Sequence, residues 1–189
     1  MEERNRRTGC TWVTVVGWSP MAVVNSVWLA CERGMVPDRI VLLASCQRPG
    51  ISENVQSVRR WLTALLPQFG VHVDSMDTLI VERDMDDDDV LTFQNRLAEV
   101  LRDEQATDRL VVDATPGRKF MSALAIKLGA NLGATNVFYN HLRNQQYVDV
   151  PHPLIPRHEQ QFVDLPGVLG HLQPGFNCVA KASGHRDAA

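Results

Sequence analysis

Two hydrophobic periods alternate along this chain. Thr11 to Val16 is β-branched and apolar, the pattern of a buried strand. Met21 to Arg33 then carries a helical period and ends near Gly34. Arg39 to Ser45 reads as a second strand. Ser52 to Leu66 reads as a helix with Val55, Val58, Leu62 and Leu65 on one face, stopped by Pro67. Val71 to Val73 and Thr78 to Glu82 are short strand candidates. Asp87 to Glu104 is a helix striped by Val90, Phe93, Leu97 and Val100 or Leu101. Arg109 to Asp113 is a strand and Pro116 to Leu132 a helix burying Met121, Leu124, Ala125 and Leu128. Asn136 to Tyr139 closes the series, with Gln146 to Val150 as its partner in a terminal β-hairpin. Strands alternating with helices predict an α/β fold: a doubly wound, mainly parallel, Rossmann-like sheet with helices on both faces.

Such sheets bind ligands at the carboxyl ends of their strands, near the switch point in strand order. Two loops at those ends hold the candidate chemistry. The first is Gly17-Trp18-Ser19-Pro20. It is not Gly-x-Gly-x-x-Gly, so a nicotinamide or flavin dinucleotide is a poor match. The second follows Val111-Val112-Asp113 and runs Ala114-Thr115-Pro116-Gly117-Arg118-Lys119. There Thr115 has the hydroxyl of a helix cap, and Pro116 suits the first helical position because its missing N–H would be unpaired anyway. Free N–H groups and the positive end of the helix dipole then converge with Arg118 and Lys119 on one spot, an arrangement suited to phosphate. The spacing is not that of a Walker loop, which argues against a nucleoside triphosphate.

Composition narrows the classes. The chain has 189 residues, 44% hydrophobic and 22% charged, enough for one compact domain with a sizeable core. A net charge of −3 argues against extended DNA or RNA binding, which needs a broad basic face. Met1 to Gly9 is charged and has no apolar core, so no signal peptide is read there, and no apolar run approaches a membrane span. Cys10, Cys31, Cys46 and Cys178 are scattered, as reduced thiols are in a cytoplasmic protein. The expected organisation is a flexible N-terminus over 1–10, one Rossmann-like domain over 11–165, and a tail over 166–189 rich in Pro, Gly and His.

The corner Asp113-x-Thr115-x-Gly117-x-Lys119 resembles the signature of CARF domains, the CRISPR-associated Rossmann-fold sensors of cyclic oligoadenylate made in type III CRISPR signalling. Val15-Val16-Gly17-Trp18-Ser19-Pro20 is similar to the loop after the first strand, which faces the ligand in that family. Tyr147 to Leu165 resembles its terminal strand region more loosely. The resemblance spans about residues 11 to 165 and implies a cyclic oligoadenylate ligand, with Gly17, Trp18, Ser19, Thr115, Pro116, Gly117, Arg118 and Lys119 contacting it. It also implies a homodimer, since a ring of four nucleotides is best gripped by two copies of the same loops. Standalone CARF ring nucleases use a lysine and a serine around the scissile phosphate, which carries over by motif to Lys119 and Ser19. Lys181, placed near the chain end, would be a further catalytic group if the tail returns to the ligand.

Plainer roles compete with these. Ser19 before Pro20 is a good helix cap. Asp113 is suited to orienting loop N–H groups more than to acid–base chemistry. Trp18 would stack on a base or cover the core. Asp84, Asp86, Asp87, Asp88 and Asp89 look like metal ligands, yet carboxylates ahead of a helix mostly cap it and favour its dipole. His141, His152 and His158 lack metal-like spacing. No metal and no cofactor are therefore expected. Three functions follow: a metal-independent ring nuclease that opens cyclic tetra-adenylate by attack of a ribose 2′-hydroxyl, a non-catalytic sensor that signals to a partner protein or DNA-binding subunit, or an unrelated nucleotide-binding Rossmann protein.

Overall fold

The structure is a computed structural model, and it describes residues 7–45, 48–72, 75–85 and 88–165. Six strands form one sheet: β1 (Arg7–Val15), β2 (Arg39–Ala44), β3 (Ile80–Asp84), β4 (Thr107–Asp113), β5 (Asn136–Leu142) and β6 (Gln160–Asp164). Their order is β3-β2-β1-β4-β5-β6. All neighbours pair parallel except β5 and β6, which are antiparallel. The order reverses between β1 and β4, so the switch point lies where the two motif loops leave the sheet.

Alternation along β1 explains the two cores. Trp12 is fully buried on one face, among Ile40, Leu42 and the apolar stripes of α1 (Pro20–Glu32) and α2 (Ile51–Leu65). Val13 and Val15 point the other way, towards α4 (Val90–Glu104) and α5 (Lys119–Asn131). The doubly wound reading holds. On the first face Trp12, Phe138 and Phe162 stack in a row, with centroids 5.8 and 4.6 Å apart. Truncating a buried aromatic of this kind costs about 3–5 kcal/mol. The predicted stripe of α2 is wholly buried, and in α4 only Val90 departs from it, 46% exposed at the first position of the helix. No described helix is long and apolar enough to cross a membrane.

Several local expectations change. Val71 and His72 form no strand, and Val73 lies outside the described residues. Thr78 belongs to a single helical turn, α3 (Met76–Leu79), so β3 starts only at Ile80. Hydroxyls hold this turn: Ser75 donates to the His72 carbonyl at 2.6 Å and Thr78 to that of Ser75 at 2.9 Å, an alternative to the ladder that short polar side chains favour. The hairpin partner of β5 is β6, not Gln146–Val150. Those residues are tied to α1 instead, where Ser19 donates to the Val148 carbonyl at 3.0 Å and Asn25 Nδ2 to that of Val150 at 2.9 Å. Helix α4 begins at Val90, after Asp89, whose carboxylate accepts from the Thr92 N–H at 2.6 Å as a cap. Hydrogen bonds from the Thr92 hydroxyl and N–H also hold the Asp89 carboxyl below the usual carboxylate range. Finally, α5 starts at Lys119, three positions later than Pro116.

Candidate functional site at the carboxyl edge of the sheet

The displaced start of α5 reshapes the second loop. Thr115 is not the cap. Its Oγ1 accepts from the Asn140 N–H at 2.8 Å and shares a 3.1 Å hydrogen bond with Ser26 of α1. The hydroxyl thereby ties β5 to α1 across the sheet. Pro116 is buried and outside the helix. Gly117 then turns with φ of +99°, a conformation that suits glycine, and Arg118 takes the N-cap position. An arginine has no acceptor with which to cap the first turn; the Arg118 N–H donates to the Met121 sulfur at 3.4 Å, and the Met121 N–H to the Arg118 carbonyl at 2.9 Å. Lys119, the first residue of α5, is exposed at the edge of the sheet. Arg118 is half-buried and lies 3.9 Å from Asp88, which also pairs with Arg48.

The first loop meets the second through glycines. A Cβ on Gly17 would lie 3.2 Å from the Gly117 nitrogen and 3.3 Å from its Cα, a tight contact that glycine at position 17 avoids where the two backbones pass. Asn54 of α2 fixes the loop by donating to the Gly17 and Trp18 carbonyls, both at 3.0 Å. Trp18 is 70% exposed, with its ring at 4.0 Å from where a Cβ on Gly50 would stand. It does not cover the core. Ser19 stands at the N-cap position of α1 but makes no cap bond. Its hydroxyl lies 3.0 Å from the Val148 carbonyl and 2.9 Å from Asp149 Oδ1. With one hydrogen, it donates to one of these at a time.

Asp113 ends β4 beneath both loops, 1% exposed. Its Oδ1 accepts from the Thr115 N–H at 2.9 Å and its Oδ2 from the Thr14 hydroxyl at 3.1 Å. It orients the loop. Burial pushes its carboxyl up to about 7, against the opposing pull of those hydrogen bonds. The other buried groups with raised values are remote thiols: burial raises Cys10 to about 11 and Cys31 to about 12.

Eight expected contact residues, Gly17, Trp18, Ser19 and Thr115 to Lys119, thus share one edge. Lys181 lies outside the described residues. Gly17, Trp18, Arg48, Gly117 and Arg118 line a shallow hollow on one side of the loop crossing. On the other side, Ser19, Asn25, Thr115, Asn140, Gln145 and Val148 line a cleft of about 270 Å³. His141, read from its spacing as a surface residue, is exposed and borders this cleft. Arg48 was legible in principle, since it follows β2 at the same carboxyl edge. Asn140 and Asp149 were not, because their places depend on how β5 and the segment after it return to α1. Among the described residues no group of three His, Cys, Asp or Glu side chains could share a metal ion.

No family model matches the chain, and no curated protein does. Solved structures with a similar fold include Can2 from Sulfobacillus thermosulfidooxidans in complex with cyclic tetra-adenylate, at 19% identity and TM-score 0.47, covering 68% of this chain and 31% of that one. Protein VC1899 from Vibrio cholerae aligns at 10% identity and TM-score 0.50, over 69% and 30%. Glucose-6-phosphate 1-dehydrogenase from Mycobacterium avium aligns at 11% and 0.39, over 68% and 29%. This chain spans about a third of the length of each. Only the second reaches a TM-score of 0.50, and at 10% identity that likeness is one of fold alone.

Proposed function

We propose that this chain binds cyclic oligoadenylate, and specifically the tetramer, at the carboxyl edge between β1 and β4. The observation that carries the reading is the crossing of the two motif loops at the switch point, glycine against glycine, with the start of α5 and the exposed Lys119 beside it. The ligand class comes from the likeness of Asp113-x-Thr115-x-Gly117-x-Lys119 to the CARF signature. Phosphate suits the helix start, where N–H groups and a cation converge. Two copies related by a two-fold axis would present these corners to opposite phosphates of one ring.

In its fuller form the reading is a ring nuclease. A ribose 2′-hydroxyl attacks its own 3′-phosphate in line, the bond from phosphorus to the 5′-oxygen breaks, and that oxygen takes up a proton. The product is a 2′,3′-cyclic phosphate, and no metal is required. The protein's part is to hold the geometry and to stabilise charge on the phosphate oxygens through Lys119 and the helix start. One observation favours a sensor that binds without cleaving: the Ser19 hydroxyl already donates within the protein, to Val148 or Asp149. It can still accept a hydrogen bond from a ribose.

Labelled cyclic tetra-adenylate incubated with the purified chain, with and without EDTA, separates the readings. Cleavage that survives EDTA supports the nuclease. Tight binding with no product supports the sensor. Neither binding nor cleavage removes the cyclic oligoadenylate reading.

A further inference from the structure

A separate cleft, of about 560 Å³, lies between α1, β6 and the turn at His152. None of its lining residues lines the hollow or the cleft at the loop crossing. Its size falls within the roughly 300–1,000 Å³ of sites that take a small molecule. Leu29, Ile155 and Phe162 give it apolar surface, and Glu32, Arg33 and Arg157 give it charge. The carboxylate is already engaged. Glu32 Oε2 lies 3.2 Å from His152 Nε2, and His152 Nδ1 lies 3.0 Å from Gln160 Nε2. A neutral imidazole satisfies both, donating to Glu32 and accepting from Gln160. Neither arginine forms an ion pair among the described residues. Arg33 is nonetheless held in place. It is the C-cap residue of α1, where a cation suits the helix dipole, yet its guanidinium reaches β6. The guanidinium carbon lies 4.7 Å from the centroid of the Phe162 ring, and Nη2 donates to the Phe162 carbonyl at 3.1 Å. That bond uses one of the five N–H donors that a guanidinium carries.

We propose that this cleft binds the phosphate monoester of a small organic molecule, with its phosphate on Arg33 and Arg157 and its organic part against Leu29 and Ile155. Two guanidinium charges stand here against one carboxylate that is hydrogen-bonded to His152. A phosphate monoester carries roughly −1.5 to −2 at pH 7, which two cations match and one does not. The planar fork of a guanidinium takes two phosphate oxygens at once, with a specificity that a lysine lacks. Seating Arg33 on the Phe162 ring in advance lowers the entropy lost on binding. A carboxylate of similar body brings a single charge to the same pair. A nucleic acid would need a broad basic face, and the chain carries a net charge of −3. The site shares no residue with the loop crossing, so it stands whatever binds there.

The test uses the full chain labelled with nitrogen-15, with the arginine Nε–H signals assigned through bonds. Phenyl phosphate should shift the signals of Arg33 and Arg157 together along one saturating curve, and leave that of the exposed Arg60 of α2 in place. Inorganic phosphate, which lacks the apolar part, should bind roughly ten- to a hundredfold more weakly. Benzoate should also bind more weakly than phenyl phosphate. Arg33→Lys keeps the charge but removes the fork, and should weaken phenyl phosphate binding about tenfold. No saturating shift, or a shift of Arg60 in step with the other two, overturns the site. Equal affinity for inorganic and phenyl phosphate removes the apolar part of the proposal, and tighter binding of benzoate removes the phosphate. The titrations are made on the parent chain, so they decide the matter even if Arg33→Lys fails to fold.

Discussion

Replacing Asp113 by Asn should make the stability of this protein less dependent on pH. Asp113 is 1% exposed, and burial raises its carboxyl from 3.8 to about 7. A raised acid binds its proton more tightly in the folded state than in the unfolded one. The stabilisation it brings is complete below about pH 4, declines as pH rises, and is gone above about 7. A proton held about a thousandfold more tightly in the folded chain, at about 1.36 kcal/mol for each tenfold, changes stability by something on the order of 4 kcal/mol across that window. Asparagine can keep the local geometry. Its oxygen accepts from Thr115 N–H as Oδ1 does now, and its amino group can donate to the Thr14 hydroxyl, which rotates to accept. The variant carries no charge to bury at any pH. Its stability relative to the parent should therefore rise between pH 4 and 8 by the full amount. Urea unfolding at half-unit steps of pH measures this directly, with the slope m held constant as a check on the two states. Parallel profiles for the two proteins would overturn it, because they would mean that Asp113 titrates alike folded and unfolded.

Three further outcomes follow from the site. Lys119→Ala should weaken cyclic tetra-adenylate binding by roughly ten- to a hundredfold, the 1.5–3 kcal/mol of a charge-assisted hydrogen bond, and Arg118→Ala should do so less because Arg118 is held near Asp88; equal, full affinity in both variants by calorimetry would show that no phosphate binds here. Gly117→Ala forces a side chain onto a φ of +99° and a Cβ to within 3.0 Å of the Met121 sulfur, so it should cost about 1–3 kcal/mol in urea unfolding, and an unchanged midpoint would contradict the strained turn. In solution the chain should sediment as a homodimer whose association is strengthened by the ring; a monomer at micromolar concentration with and without ligand counts against the two-fold arrangement.

The sheet was legible because its signals are local. β-Branched runs such as Thr11 to Val16 and four-position stripes such as Val55 to Leu65 are read without knowing what packs on them, and parallel neighbours bury both faces, which keeps those runs apolar. The main failures lie where a polar side chain chose a distant partner. Thr115 followed by Pro116 has the form of a cap, but the hydroxyl is taken by Asn140, 25 positions on. Ser19 likewise occupies a cap position and bonds to Asp149, 130 positions away. Gln146 to Val150 has a strand-like composition, yet the bonds from Ser19 and Asn25 to its carbonyls draw it onto α1. A side-chain hydrogen bond is worth about 1 kcal/mol wherever it forms, so local pattern alone does not decide between near and far partners.

The same physics separates the parts of the candidate site. The loop crossing could be placed from sequence because strand ends in a parallel sheet gather on one edge whatever their order. It needs only Gly17 and Gly117 to let two backbones pass. The cleft beside Ser19 could not be placed that way. Its walls come from α1, the corner after β4, the end of β5 and the turn at Gln145 to Val148, which are brought together by Thr115, Ser26 and Asn25 acting as ties. Asn25 and Thr115, which line the same cleft, are engaged in holding its walls, and the Asn140 backbone is itself held by one of them. Asn25 is satisfied on both side-chain atoms within the protein, so this wall is set by the fold alone and could be read only from the folded chain.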